Sequence, residues 1–407
     1  MKELAKNWVK QGWVAPWNAR FGCLPSPSQD TENPCDFFGV PSPESDSDKG
    51  QVYIGVGGMH LLPRKILESF KVIVHKGTRV SGVASRTIEK SDDNDTGENR
   101  LVWDITTTVG AAAFHDTKES VAKSELEKAK KEEVDTPTTT PSSSASTTTR
   151  IVVHRGFDAV VFTDISSSSD SWHRASAGIP SSFADKLPPK LRLPLFSCMI
   201  ALEKSIKSKL PYDAFVVDSD NCSPLWFAAV SESKPGFPSG DDSDTECWTL
   251  ISTPTFAVDE IRETTMRDPV TGAFRPQENG YLNSIPGPAL RDAFFDLVRP
   301  YLDGADLPKT IYLQAQRWGS GLPIDPNMVA EENVHEICGT TYASKVTGSL
   351  VYSSSEKTKE NFVADDSIGL YYGGDFCSHL NPGFEAAALS GLDLAKHILR
   401  QKKLADC

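Results

Sequence analysis

Near the C-terminus, Gly373-Gly374-Asp375 is followed after a short loop by Pro382-Gly383-Phe384-Glu385. These residue types suit ligand binding rather than bond cleavage by a protein nucleophile. Glycines let a backbone approach a ligand closely, and the Asp375 carboxylate is a hydrogen-bond acceptor beside them. A helix opening after Pro382-Gly383 would aim unpaired N–H groups and partial positive charge at an electron-rich partner. Elsewhere the eight histidines are dispersed, and no Ser/His/Asp or Cys/His pairing stands out. The eight cysteines form no C-x-x-C and no Cys/His cluster, so no zinc site is expected.

The elements that must position these residues are a strand and a helix. Ile368–Tyr372 is a brief apolar run stopped by glycines, as a buried strand is. The helix after Gly383 carries Ala386, Ala387, Ala388, Ser390, Gly391 and Ala395, small enough for close approach to another surface. Asp375 stands just past the strand, where open α/β sheets bind ligands. The same pattern also fits an ordinary strand–turn–helix closing any α/β domain. The whole stretch resembles the C-terminal signature of FAD-dependent oxidoreductases of the amine-oxidase superfamily, most closely the renalase-like branch. The resemblance implies that Gly373, Gly374 and Asp375 hold the ribityl–pyrophosphate part of a non-covalent FAD. It implies that backbone N–H groups of Gly383, Phe384 and Glu385 face the pyrimidine end of the flavin ring, where reduction adds negative charge.

Composition sets outer limits. The chain has 407 residues, 39% hydrophobic and 24% charged, enough for two domains. A net charge of −13 argues against a nucleic-acid or anionic-membrane partner. No run approaches the roughly 18 apolar residues of a membrane span. The start, Met1 to Trp8, lacks the apolar segment of a signal peptide. Scattered cysteines at low density point to reduced thiols and an intracellular, cytoplasmic setting; a missing N-terminus would leave organelle targeting open.

The expected fold class is α/β (α+β overall): an incomplete Rossmann-like FAD domain plus an antiparallel-sheet substrate domain with helices. Residues 1–49 form the start of a substrate-facing segment and a surface loop. Residues 50–165 form part of the FAD domain, with strands expected at Gln51–Ile54, Lys71–His75 and Phe157–Phe162 and a disordered insertion at about 113–150. Residues 166–345 form the substrate domain, with short β-like runs and helices near Val258–Thr265 and Gly287–Leu302. Residues 362–407 return to the FAD domain.

The resemblance adds four candidates. The backbone of Val80 would run beside the adenine. Trp318 and Arg317, at the end of the run Thr310 to Trp318, and Trp17, in a Trp/Pro segment, would face flavin or substrate. Each is equally readable as a strand or core residue. The implied reaction is hydride transfer from an amine or a dihydronicotinamide-type substrate to flavin N5, with O2 as the reoxidant. Partners are therefore a small-molecule substrate and O2; the oligomeric state is not readable. One departure is large: no G-x-G-x-x-G occurs. The chain starts inside the family's first helix and keeps the family's order afterwards, which predicts a dinucleotide-binding unit upstream of Met1. The alternative is a non-catalytic relative, a binding protein that lost this unit. In the structure, the first prediction entails a poorly paired edge where the absent strand would lie.

Overall fold

In the computed structural model, the described residues are 2–24, 52–70, 72–88, 100–109, 150–164, 179–217, 224–237, 245–266, 268, 270, 277–278, 280–346, 360–378 and 382–405. The 113–149 part of the expected insertion lies outside them, as do the polar runs 25–49 and 353–359.

The N-terminal elements are α1 (Lys2–Lys10), β1 (Val14–Pro16), β2 (Phe21–Leu24), β3 (Tyr53–Gly55) and α2 (Leu61–Ser69). Leu4 and Trp8 lie four apart on α1, and Trp8 is buried against Val14 and Leu62. β1 pairs antiparallel with β3, so the expected 51–54 strand belongs to this small ribbon and not to a parallel sheet. Next come β4 (Thr78–Ile88), β5 (Arg100–Val109) and β6 (Arg150–Phe157), an antiparallel three-stranded sheet. The expected strand at Lys71–His75 is absent: Val72 to His75 carry no strand pairing, and Ile73 is 82% exposed. An apolar run becomes a strand only when a neighbour supplies its hydrogen bonds. The expected Phe157–Phe162 strand is split, with Phe157 ending β6 and β7 (Val160–Phe162) beginning afresh.

After the short helix α3 (Ser181–Ala184), the chain builds its largest sheet from β8 (Leu191–Leu202), β9 (Ala214–Val217), β10 (Leu225–Val230) and β11 (Glu246–Ser252). Helices α4 (Pro254–Glu263), α5 (Tyr281–Ser284) and α6 (Pro286–Val298) follow, then β12 (Thr310–Ile324), β13 (Val334–Ile337) and β14 (Thr340–Ala343). The order is β13-β14-β8-β11-β10-β9-β2, with β12 also on β8, giving eight strands in a curled half-barrel. Thr253 caps α4 by accepting the Phe256 N–H, with Pro254 just inside the start. Leu290, Phe294 and Val298 recur at helical spacing on α6 and are buried with Phe196, Phe215 and Trp248 of the sheet. Phe294 lies 4.9 Å from the Trp248 ring centroid. This face of the sheet is therefore the helix-covered core.

The C-terminal elements are β15 (Phe362–Asp365), β16 (Leu370–Gly373) and α7 (Phe384–Ala405). β16 pairs antiparallel with β15 and parallel with β7, in the order β15-β16-β7. β7 is the edge of this sheet among the described residues, and Val161 on it is 43% exposed. Trp103 of β5 donates its indole N–H to the Ile368 carbonyl at 2.6 Å, fixing the antiparallel sheet to the turn before β16. The architecture is mixed α/β with several sheets. Cys23, expected as a reduced thiol, is disulfide-bonded, while Cys198, Cys247 and Cys377 are free thiols. Spacing along a chain does not reveal which cysteines meet in space.

Candidate functional site

Two features bring chemistry-bearing residues together: the turn after β16 and the open face of the large sheet. β12 also comes close to the turn.

At the turn, Gly374 has φ +152, a conformation for glycine. Its N–H donates to Ser390 Oγ of α7 at 2.8 Å. Ala386, Ser390 and Leu394 recur every fourth residue and are buried against β16, so the small residues near the start of α7 permit the close approach. Asp375 begins a 3-10 turn, Asp375–Cys377, and its Oδ2 accepts the Gly383 N–H at 3.1 Å. Burial raises the Asp375 carboxyl above the ordinary range, against the hydrogen bonds from Gly383 and its own turn. Lys190, just before β8, shares this environment; burial pulls its ammonium down although Asp325, Cys377 and Asp375 oppose that. Burial pushes the Cys377 thiol up to about 12, so it is a protonated, inert group near neutrality.

These contacts change the expected roles. Gly383 does not offer its N–H to a ligand, because Asp375 takes it. Phe384 and Glu385, the first two residues of α7, are exposed and have N–H groups that the helix cannot satisfy internally. Gly383 itself has φ +142, and an added Cβ there would meet nothing within 4 Å. An open approach to two helix-start donors fits the electron-rich pyrimidine edge of a flavin. Gly373 is buried, and its Cβ position is 3.2 Å from Leu394, so it serves the packing of α7.

On the large sheet, ladder pairs set which side chains share a face. Gln316 pairs with Ser197, Gln314 with Met199 and Trp318 with Leu195. The indole N–H of Trp318 donates to Ser197 Oγ at 2.8 Å, and Tyr312 donates its hydroxyl to Gln314 Oε1. Trp318 is 53% exposed and Met199 50%. Successive strand residues point to opposite faces, so Arg317 is turned away from Trp318 to the helix side. There its Nη1 donates to the Thr264 carbonyl at 2.8 Å, and burial lowers its pKa despite Tyr342, Tyr281 and Glu260 nearby. Arg317 thus links β12 to the end of α4. Trp17 is buried, donates to Ser233 Oγ at 3.1 Å and lies under Lys234, 5.6 Å from its ring centroid. Val80 sits in the β4–β5 ladder opposite Thr107, beside a bulge.

Sequence reasoning missed Lys190, Ser197, Met199 and Gln314. The alternation of Gln314, Gln316 and Trp318 was the readable signal for one wet face; the partners on β8 required the register. One Ser–His contact also emerges, with His335 Nε2 2.8 Å from Ser344 Oγ. Arg262 Nη2 lies 3.4 Å from His335 Nδ1, and guanidinium only donates. Neutral His335 then carries its proton on Nε2 and donates to Ser344, the reverse of a general base for a serine nucleophile.

No family model matches this sequence, and no curated protein matches it. Among solved structures, the chain is similar to a protein described as a protoporphyrinogen oxidase from Exiguobacterium sp. 255-15. The likeness has a TM-score of 0.33 and 12% identity, and covers 61% of this chain and 43% of that one. The chain thus spans less than half the length of the structure it matches, and a likeness this faint identifies no function.

Proposed function

We propose that this chain serves a flavin-dependent oxidoreductase that binds FAD non-covalently at the β16–α7 junction and oxidises a small molecule, an amine or a dihydronicotinamide-type compound, with O2 as the final acceptor. The observation that supports this most is the start of α7: Phe384 and Glu385, whose N–H groups the helix cannot satisfy internally, beside an open Gly383. The flavin, when bound, supplies a two-electron acceptor at the ring. The chain's residues do the rest. Asp375 locks the turn to Gly383, which holds the helix start in place. The N–H groups of Phe384 and Glu385 would hold the pyrimidine edge and favour negative charge there. Trp318 and Met199 would exclude water and orient the substrate by contact rather than by proton transfer.

A second reading, a binding protein without catalysis, is favoured by one observation: among the described residues only β16 and β7 pair in parallel in the C-terminal sheet. Absorbance separates the two. The purified chain is mixed with FAD and passed through gel filtration. The redox reading expects a retained flavin band at about 450 nm. Proline is tolerated in the first helical turn, so Phe384→Pro removes one N–H without breaking α7. Loss of one such hydrogen bond, on the order of 1–1.5 kcal/mol, weakens FAD about tenfold relative to Phe384→Ala. A colourless chain that takes up no FAD overturns the redox reading and leaves the binding protein.

A further inference from the structure

The turn that follows β10 holds a carboxylate and an amine that the fold leaves without direct partners. It is the 3-10 turn Ser231–Ser233, continued by Lys234 and Pro235. Glu232 Oε1 accepts the Cys247 N–H of β11 at 2.8 Å. The other oxygen, Oε2, is buried and has no hydrogen-bond partner among the described residues. Lys234 lies over the indole of Trp17, its Nζ 5.6 Å from the ring centroid. Among the described residues its ammonium makes no hydrogen bond and no ion pair. Buried polar groups are normally hydrogen-bonded and buried charges paired. Two such groups on one turn, each unmet, call for a ligand group that meets both.

We propose that Lys234 is a nucleophilic amine that binds small apolar aldehydes covalently as an imine, with Glu232 as its acid–base partner. The backbone holds both groups in place. Trp17 Nε1 donates to Ser233 Oγ at 3.1 Å, and Ser233 Oγ donates to the Val230 carbonyl at 2.9 Å. The Lys234 N–H donates to the Ser231 carbonyl at 2.9 Å, and the Pro235 carbonyl accepts the Gly57 N–H at 3.0 Å. The amine nitrogen attacks the carbonyl carbon, and one N–H proton moves to the carbonyl oxygen, giving a carbinolamine. The hydroxyl and the second N–H proton then leave as water, and C=N forms. Aldehyde plus amine thus gives imine plus water, with no oxidant or reductant. Both proton movements need a group that accepts and returns a proton beside the amine, and Glu232 Oε2 is the free acceptor on the same turn. Burial pulls the Lys234 ammonium below the ordinary lysine range, against Glu232, and so raises the share of free amine. Cys247 is no rival nucleophile: burial, with Glu232 beside it, holds its thiol above the ordinary range and protonated. The bed under the amine is aromatic, with Phe21 edge-on to Trp17 at 5.0 Å, which suits an apolar aldehyde and a planar imine. The imine needs no flavin and stands apart from the redox reading.

The full chain, without flavin, is incubated at neutral pH with benzaldehyde and cyanoborohydride, which reduces an imine to a stable secondary amine. Peptide mass spectrometry then gives the rate at each lysine. Lys234 is expected to be alkylated at least tenfold faster than the exposed Lys6 and Lys204. Glu232→Gln keeps an oxygen for the Cys247 N–H and is expected to slow Lys234 severalfold or more while leaving Lys6 unchanged. Glu232→Asp, which withdraws the carboxylate by one carbon, repeats the test, and the thermal midpoint of each variant checks its fold. Lys234 alkylated no faster than Lys6 and Lys204 overturns the proposal. A fast Lys234 that both Glu232 variants leave unchanged overturns the role of Glu232.

Discussion

Asp375 Oδ2 accepts the Gly383 N–H at 3.1 Å, so the carboxylate nearest the candidate site is engaged within its own loop. Its job is to hold the start of α7 against the turn that ends β16. Ser390 does the same from the helix side by accepting the Gly374 N–H. Two hydrogen bonds of opposite sense thus close the ring of turn and helix, and Phe384 and Glu385 follow at the exposed start of α7.

This arrangement fixes a pH dependence. Burial raises the Asp375 pKa in the folded chain. A raised carboxyl pKa means the native state holds the proton more firmly. The resulting stability is fully present below the unfolded value of about 3.9 and is lost as pH rises through the folded value. Asp375→Asn removes this titration. Urea midpoints of the wild type are expected to fall relative to those of the variant as pH rises from about 4 to about 7. Parallel midpoints across that range would mean that Asp375 titrates normally.

Glu246 supports the large sheet from inside. It is buried, and its carboxylate accepts from Ser205 Oγ at 2.5 Å, Trp248 Nε1 at 2.6 Å, Lys207 N at 3.0 Å and Ile206 N at 3.2 Å. Four donors surround an acceptor-only group. Glu246→Gln turns an NH2 toward at least one of them, leaving unpaired donors in the core. The expected cost is about 2–4 kcal/mol in a urea titration, with Trp248 as the fluorescence reporter. Glu246→Ala should cost at least as much.

The element types were legible where one face of an element alone decides its packing. The spacing of Leu290, Phe294 and Val298 gave the α6 helix, and the short apolar runs gave the antiparallel sheet. The β16–α7 turn was legible because glycines, a proline and small residues each have one physical use there. The Lys71–His75 run misled, since its apolar residues are the same whether or not a neighbouring strand exists. The placements of Arg317 and Trp17 were not legible for another reason: adjacency in sequence does not say which side chains the tertiary packing covers. The Ser197–Trp318 contact joins residues 121 apart and depends on the β8–β12 register, which no local pattern encodes.

The exposed run after α2 makes a contrasting prediction. Phe70 is 75% and Ile73 82% exposed, with Val72 and Val74 beside them. A side chain that touches little contributes little, so Ile73→Lys should change the urea midpoint by less than about 0.5 kcal/mol. The same change should lower light scattering on heating, because a bare apolar β-prone segment promotes association. A loss of more than about 1 kcal/mol would show that the run is covered in solution.

Gly22 and Tyr212 test the edge of the large sheet. Gly22 lies on β2, which pairs with β9 at the end of the strand order. A Cβ on Gly22 would fall 2.3 Å from Cε1 and Cζ of Tyr212 and 2.6 Å from Cε2, so the phenol ring lies directly over the glycine. The ring covers backbone that an edge glycine leaves bare. Gly22→Ala forces the ring away and should cost about 1–3 kcal/mol. The backbone of Gly22 is not left-handed, so the penalty is steric. Removing the ring therefore removes the clash. In a double-mutant cycle with Tyr212→Ala, the combined loss should fall short of the sum of the single losses by about 1 kcal/mol or more. Strict additivity would place the ring elsewhere, and with it the close packing at this end of the sheet.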